Sequence, residues 1–208
     1  MNLLTTELIP AVAKNSRRLM VVLHGLGDSM DGYRWLPEAL DFPSLNFLLV
    51  NAPDEYSDGY SWFDLGGDRT PGVRRSYGLL SALLDAQRAA GFPTEQTMMF
   101  GFSQGCLMTW ETGLRYPHRF AGLIGISGWA HEHEPLMRSL SPIALTQKFL
   151  ITHGTQDPLI PFAEVRKQAR ELKAAGLDIA WHEFAKAHTI AGEQELSVIR
   201  EFVRARFA

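Results

Sequence analysis

Ser103 stands in the stretch FGFSQGC, where Gly101, Ser103 and Gly105 make a Gly-x-Ser-x-Gly pattern. The apolar run TMMF lies directly before it and a segment with helical spacing directly after. A serine forced onto a tight strand-to-helix turn presents its hydroxyl outward, and glycines on both sides avoid collisions between the turn and its neighbours. The bare pattern arises by chance in roughly one chain in ten of this composition, so its placement between strand and helix carries the weight. The bland alternative is a tight turn in which Ser103 merely caps the helix. Ser127 in GISGW has its second glycine one position too early and reads as a loop residue.

A neutral hydroxyl is a poor nucleophile. It needs a base to take its proton and a carboxylate to orient that base. Asp157, in THGTQDPLIP, follows the apolar run FLITH and precedes a helical segment, the right place for the carboxylate. The competing use of an Asp-Pro pair is an Asx-type turn. Asp178 begins the next run and belongs at the opposite edge of a sheet.

Seven histidines compete for the role of base. His118 follows Pro117 at a helix end. His131 and His133 lie in HEHEP, which is read as solvated; as i, i+2 neighbours they converge on a metal only from a strand or irregular loop. His153 and His182 fall in apolar runs and suit hydrogen-bonded core positions. His24 belongs to the turn LHGLGD. His188, in EFAKAHTIAG, alone follows the last apolar run in a loop before the last helix, which completes the chain order Ser, Asp, His.

Acyl chemistry at Ser103 also needs donors for the negative oxygen of a tetrahedral intermediate. The nucleophile turn offers the backbone N–H of Gln104 at a helix N-terminus. The glycine-rich turn after VVL offers that of Leu26, between Gly25 and Gly27. Losing one such donor typically costs about 3 kcal/mol of transition-state stabilisation. The alternative is that residues 24–28 form only a tight turn.

The elements that must position these groups alternate in type. Short apolar runs at Arg18–Leu23, Phe47–Val50, Thr97–Phe102, Ala121–Ile126, Phe149–His153 and Ile179–Phe184 read as buried strands. Helical spacing appears over Val73–Ala90, Gly105–Tyr116, Phe162–Ala175 and Glu193–Phe207. In the third, Val165, Ala169 and Leu172 share a face and Gly176 is a C-terminal stop. This alternation predicts an α/β fold with a mainly parallel sheet covered on both faces. Leu3–Leu8 is a candidate edge strand. In such sheets reactive groups gather at the carboxyl ends of the strands, just where Ser103, Asp157 and His188 fall.

The 208 residues, 46% hydrophobic, suit one domain spanning 1–208 with a substantial core. With 20 basic against 23 acidic residues, a formal charge of −3, no global positive field exists to hold nucleic acid. The N-terminus MNLLTTELIPAVAK resembles neither a signal peptide nor a membrane span, so a soluble, cytoplasmic protein is expected. One cysteine, Cys106, excludes an internal disulfide and a multi-cysteine metal cluster within one chain. The oligomeric state is not legible.

Taken in order, LHGLGD (23–28), NAPD (51–54), SWFDL (61–65), GFSQG (101–105), HGTQDPLIP (153–161) and AHTI (187–190) resemble the carboxylesterase and acyl-protein thioesterase family of compact α/β hydrolases, also grouped as phospholipase/carboxylesterase. The resemblance implies an α/β-hydrolase fold without a large cap domain. It also implies hydrolysis of ester or thioester bonds of a small acyl substrate through an acyl-enzyme, with no metal or organic cofactor. It carries over Ser103 as nucleophile, His188 as base, Asp157 as orienting acid, and Leu26 and Gln104 as oxyanion donors. Leu26, Trp62, Phe63 and Leu159 become candidate lining of an apolar acyl groove, with core packing the alternative for the two aromatics.

Two departures stand out. Where the family commonly has glycine before the histidine, this chain has Ala187; a positive φ there would cost on the order of 1 kcal/mol and shift His188. That motivates a rival reading, a catalytically impaired scaffold that binds a ligand or protein partner. The connection LGGDRTPGVRRSY (65–77) is short and basic, and Arg74 and Arg75 are read as a solvated helix start rather than an anion site.

Overall fold

The computed structural model describes residues 4–132, 135, 137, 138, 140 and 142–207. Its centre is a seven-stranded sheet in the order β1-β3-β2-β6-β7-β8-β9. The strands are β1 (Thr6–Ile9), β2 (Arg18–Leu23), β3 (Leu45–Val50), β6 (Thr97–Phe102), β7 (Gly122–Ile126), β8 (Lys148–Gly154) and β9 (Asp178–Phe184). Only β1 runs antiparallel to its neighbour; each remaining pair in this sheet is parallel. The expected edge strand is thus present as Thr6–Ile9, and Leu3 lies outside the described residues.

Continuous apolar runs form the inner strands because both of their faces are covered, as parallel sheets require. In β2, Leu19, Val21 and Leu23 enter one apolar cluster while Met20 and Val22 enter another on the opposite face. The first cluster takes in α2 (Thr70–Ala89) through Val73, Leu80 and Leu84, α3 (Gln104–Arg115) through Leu107 and Trp110, and α4 (Phe162–Ala174) through Leu172. The second takes in α1 (Leu36–Leu40) and, through Ile199 and Val203, α5 (Glu193–Phe207). Both sheet faces are therefore sealed by helices.

Local chemistry sets the helix ends. The predicted start at Val73 moves forward to Thr70, where Pro71 occupies the first turn and Asp68 accepts the Thr70 N–H at 2.9 Å. Gly176, at φ +102, closes α4 as the sequence suggests, its N–H reaching Lys173 O at 3.0 Å. A hairpin of β4 (Asp54–Tyr56) and β5 (Gly59–Ser61) was not expected from hydrophobic periodicity. It turns through Ser57 at φ +52 and Asp58, and Gly59 is required there: a Cβ would stand 2.4 Å from Gly27 O.

The chain moves outward from β2 to β3 and then returns to place β6 on the other side of β2. The crevice beyond the carboxyl ends of β2 and β6 is therefore the topological switch point, where open α/β sheets hold their ligands. The turn 24–28 follows β2 there, and Ser103 follows β6. No helix among the described residues is long and apolar enough to cross a membrane.

Candidate active site

Ser103 adopts φ 54, ψ −114, a conformation that L-residues rarely occupy, between β6 and the first turn of α3. The two flanking glycines permit it. A Cβ at Gly101 would stand 2.1 Å from Gly105 O, and one at Gly105 would stand 2.2 Å from Leu23 O. Strand, turn and helix approach each other with no room for a side chain, and the Ser103 hydroxyl faces the crevice.

His188 lies in the loop between β9 and α5, with its imidazole Nε2 2.9 Å from Ser103 Oγ. Its Nδ1 is 2.7 Å from Asp157 Oδ2. The other carboxylate oxygen, Oδ1, accepts the N–H groups of Leu159 and Ile160, each at 2.9 Å. Asp157 therefore makes the Asx-type turn and faces the histidine at once, one oxygen for each; the two readings of this residue are compatible. Burial raises the carboxyl pKa, but the N–H of Ile160, the His188 bond and the N–H of Leu159 outweigh it and hold the pKa below the ordinary value. With Nδ1 turned to Asp157, Nε2 is left facing the Ser103 hydroxyl, an arrangement in which it can take the serine proton.

Ala187 is absent from the residues with positive φ, so its methyl group carries no left-handed strain and the feared displacement of His188 does not arise. Phe102 packs against the imidazole, ring centroids 5.0 Å apart.

The turn after β2 is held from several sides. His24, fully buried, donates from Nδ1 to Gly25 O at 2.6 Å and accepts the Ala52 N–H on Nε2 at 3.0 Å. Both nitrogens of the ring are thereby used, and burial lowers its pKa, outweighing the bond to Gly25 O, which raises it. The Gly27 N–H donates to Tyr60 O and the Asp28 N–H to Gly25 O. Among the described residues no hydrogen bond engages the N–H of Leu26 or of Gln104. Those are the two donors proposed for an oxyanion.

The Gln104 side chain has a job that the sequence does not reveal. Its Oε1 accepts the Trp62 N–H at 2.9 Å, and its Nε2 donates to Phe63 O at 2.9 Å, the same carbonyl that accepts the Ser61 hydroxyl at 2.8 Å. The start of α3 is thus fastened to the SWF segment. The expectation that Trp62 and Phe63 line the groove needs correction, because both are fully buried. Trp62 donates through Nε1 to His24 O at 2.9 Å, and Phe63 packs edge-on behind Trp129 at 6.3 Å. These aromatics support the walls of the site and do not face it.

Leu26 and Leu159 do line a cavity of about 640 Å³ that opens at Ser103 and His188, together with Leu65, Trp129 and Ile160. Arg69, on the same wall, lies over the Trp129 ring at 5.6 Å. A second cleft of about 320 Å³, on the far side of His188 and Phe102, is lined by Tyr33, Trp35 and Ile190 among others. Arg74 and Arg75 point elsewhere, engaged with Glu132 and Asp54.

Of the remaining histidines, His153 is buried, its Nε2 3.1 Å from Ile160 O, and burial lowers its pKa. His131 pairs with the Thr70 hydroxyl at 3.1 Å. His133 lies outside the described residues; among those described, no group of three His, Cys, Asp or Glu side chains is arranged to hold a metal. Cys106 is buried beneath the site and its thiol pKa is pushed up to about 12 by desolvation.

Comparison with known proteins agrees with this architecture. The sequence profile of the phospholipase/carboxylesterase family matches residues 4–206. Acyl-protein thioesterase 1 of Schizosaccharomyces pombe is 33% identical over 165 residues, covering 73% of each chain. That of Yarrowia lipolytica is 28% identical over 213 residues, covering 92% of each. Among solved structures, esterase PE8 superposes with a TM-score of 0.87 at 30% identity, over 98% of this chain and 99% of that one. The Bacillus cereus carboxylesterase gives 0.84 at 18% identity over 99% and 96%, a likeness of fold. With the profile spanning nearly its whole length, this chain belongs to the phospholipase/carboxylesterase family of α/β hydrolases.

Proposed function

We propose that the protein hydrolyses carboxylic esters or thioesters through an acyl-enzyme on Ser103, with His188 as general base and acid and Asp157 as its orienting partner. The observation that carries this reading is the unbroken line from Ser103 Oγ to His188 Nε2 at 2.9 Å and from His188 Nδ1 to Asp157 Oδ2 at 2.7 Å. In the first half-reaction Ser103 Oγ attacks the acyl carbonyl while its proton passes to His188. The N–H groups of Leu26 and Gln104 receive the oxyanion. Collapse breaks the bond to the leaving oxygen or sulfur, which takes the proton from His188. Water then repeats the sequence on the acyl-serine and releases the acid.

The larger cavity, with Leu26, Leu65, Trp129 and Leu159 on its walls, suits the acyl chain. The cleft beyond His188 suits the departing alcohol or thiol, because that group must meet the imidazole as it leaves. Misaligned machinery, the basis of the binding-scaffold alternative, has no support in the backbone at Ala187.

The test is labelling with a fluorophosphonate probe, combined with turnover of p-nitrophenyl esters and acyl-thioesters of increasing chain length. Labelling at Ser103, lost in Ser103→Ala together with hydrolysis, is the expected result. Hydrolysis that survives in Ser103→Ala or in His188→Ala refutes the assignment.

A further inference from the structure

Behind the Ser103–His188–Asp157 line lies a second buried ionic cluster that the proposed reaction does not use. Lys186, two residues before His188, is only 5% exposed, and its Nζ donates to both oxygens of Glu195 at 2.6 and 2.7 Å. Glu195, in the first turn of α5, is fully buried. The same carboxylate accepts the Thr152 hydroxyl from β8 and the Ala191 N–H at 2.6 Å. One anion therefore gathers donors from the sheet, from the near flank of His188 and from its far flank. The loop that carries the imidazole is pinned on both sides to a single point.

Lys186 also reaches the acid. Its carbonyl accepts the N–H of Gln156, the residue before Asp157, at 3.1 Å. The end of β8 presses on the same stretch: a Cβ at Gly154 would stand 2.3 Å from Lys186 O and 2.8 Å from Ala187 O. Positions of base and acid are thus referred to one short segment.

Burying two charges carries a desolvation cost that packing alone would avoid, since an apolar pair of similar volume fills such a space at least as well. What the pair supplies, and an apolar contact does not, is a directional register between loop, helix and strand. We infer that the Lys186–Glu195 ion pair is a positioning device that holds His188 in line with Ser103. This rests on the hydrolase reading above. Lys186 and Glu195 touch neither the substrate nor the reacting atoms; they act through the loop.

The experiment compares Lys186→Met, Glu195→Gln and the double variant, with active sites titrated by fluorophosphonate burst so that only folded, competent enzyme is counted. Misplacement of a catalytic group by about 1 Å costs on the order of a hundredfold. Accordingly kcat per titrated site falls about ten- to a hundredfold in Lys186→Met, with KM within about twofold. Because the pair acts as a unit, the double variant loses about as much as the worse single variant, not the product of the two. If Lys186→Met does not fold, Glu195→Gln, which keeps the volume, carries the same kcat readout. A fall in melting temperature with kcat per site within about threefold of wild type overturns the inference, as do multiplicative losses in the double variant. Ser103→Ala, its turnover taken per mole of folded protein because it has no serine to titrate, separates the two levels. If it retains activity, the hydrolase reading fails; if it is inactive while Lys186→Met is normal, only the positioning role fails.

Discussion

The side chain and the backbone of Gln104 do different things, and replacing the residue separates them. In Gln104→Leu the volume is nearly kept, but the Trp62 N–H loses its acceptor at 2.9 Å inside a fully buried segment. A buried donor left unpaired costs about 1–3 kcal/mol. Phe63 O loses the Nε2 donor at 2.9 Å yet keeps the Ser61 hydroxyl at 2.8 Å, so the net loss there is that of one ordinary hydrogen bond, about 0.5–1.5 kcal/mol. The sum is about 1.5–4.5 kcal/mol of stability, measurable as a lower urea midpoint by tryptophan fluorescence at 25 °C. The N–H of residue 104 remains, so kcat per titrated site falls by less than about tenfold, against the hundredfold or more expected on losing an oxyanion donor. Gln104→Glu is the sharper control: it places a carboxylate oxygen where Nε2 met Phe63 O, and it destabilises more than leucine. A loss below about 0.5 kcal/mol in Gln104→Leu, or a glutamate variant more stable than the leucine one, refutes the clamp.

Asp157→Asn keeps an oxygen for the N–H groups of Leu159 and Ile160, so it should fold normally. It nevertheless directs His188 into the wrong tautomer, with a loss of about 10⁴-fold in kcat on p-nitrophenyl butyrate; a loss under about tenfold contradicts the assigned role. Ala187→Gly brings no gain in activity, because no positive φ is relieved, and it costs about 0.4–1 kcal/mol of stability through the looser unfolded chain. Calorimetry beside steady-state kinetics checks both parts. His24 and His153 both have pKa values lowered by burial. The unfolded chain therefore binds protons that the folded chain refuses, and stability falls as pH drops through about 6.5, by at most about 1.4 kcal/mol per pH unit for each ring, levelling off below the folded pKa. Urea midpoints at pH 7.5, 6.5 and 5.5 should show the decline, with a shallower slope in His24→Gln; a flat profile counts against buried neutral rings.

Much of the fold is legible because it rests on local signals. The run RLMVVL is apolar on both faces and flanked by polar residues, which is what a strand buried between two helical layers demands. Chain order then places Ser103, Asp157 and His188 after the carboxyl ends of β6, β8 and β9. The structure brings their side chains within hydrogen-bond reach of one another. Trp62 and Phe63 illustrate where local reading stops. An aromatic pair beside a site is equally compatible with a groove wall and with the core behind it. The choice here is made by distant partners, His24 O for Trp62 and the Trp129 ring for Phe63. The β4–β5 hairpin escaped because its strands are three residues each and carry no apolar alternation; the signal was in the Ser-Asp-Gly turn.

The same limit explains why Ala187 stands out in the sequence and Lys186 does not. A substitution at a glycine position is visible in one dimension, since glycine has a known conformational use. Lys186 reads in the sequence as an ordinary loop cation, and Glu195 as one of the acids that favour a helix N-terminus. Neither type is normally found fully inside a protein, so composition assigns both to solvent. Only the closure of the loop 185–192 against β8 makes them a pair, 2.6 Å apart and hidden from water. Ala187 carries no positive φ, whereas the Glu195 carboxylate bonds to both flanks of His188 and to Thr152 of the sheet. The position of the imidazole is therefore governed less by the residue beside it than by an anchor seven positions further along the chain.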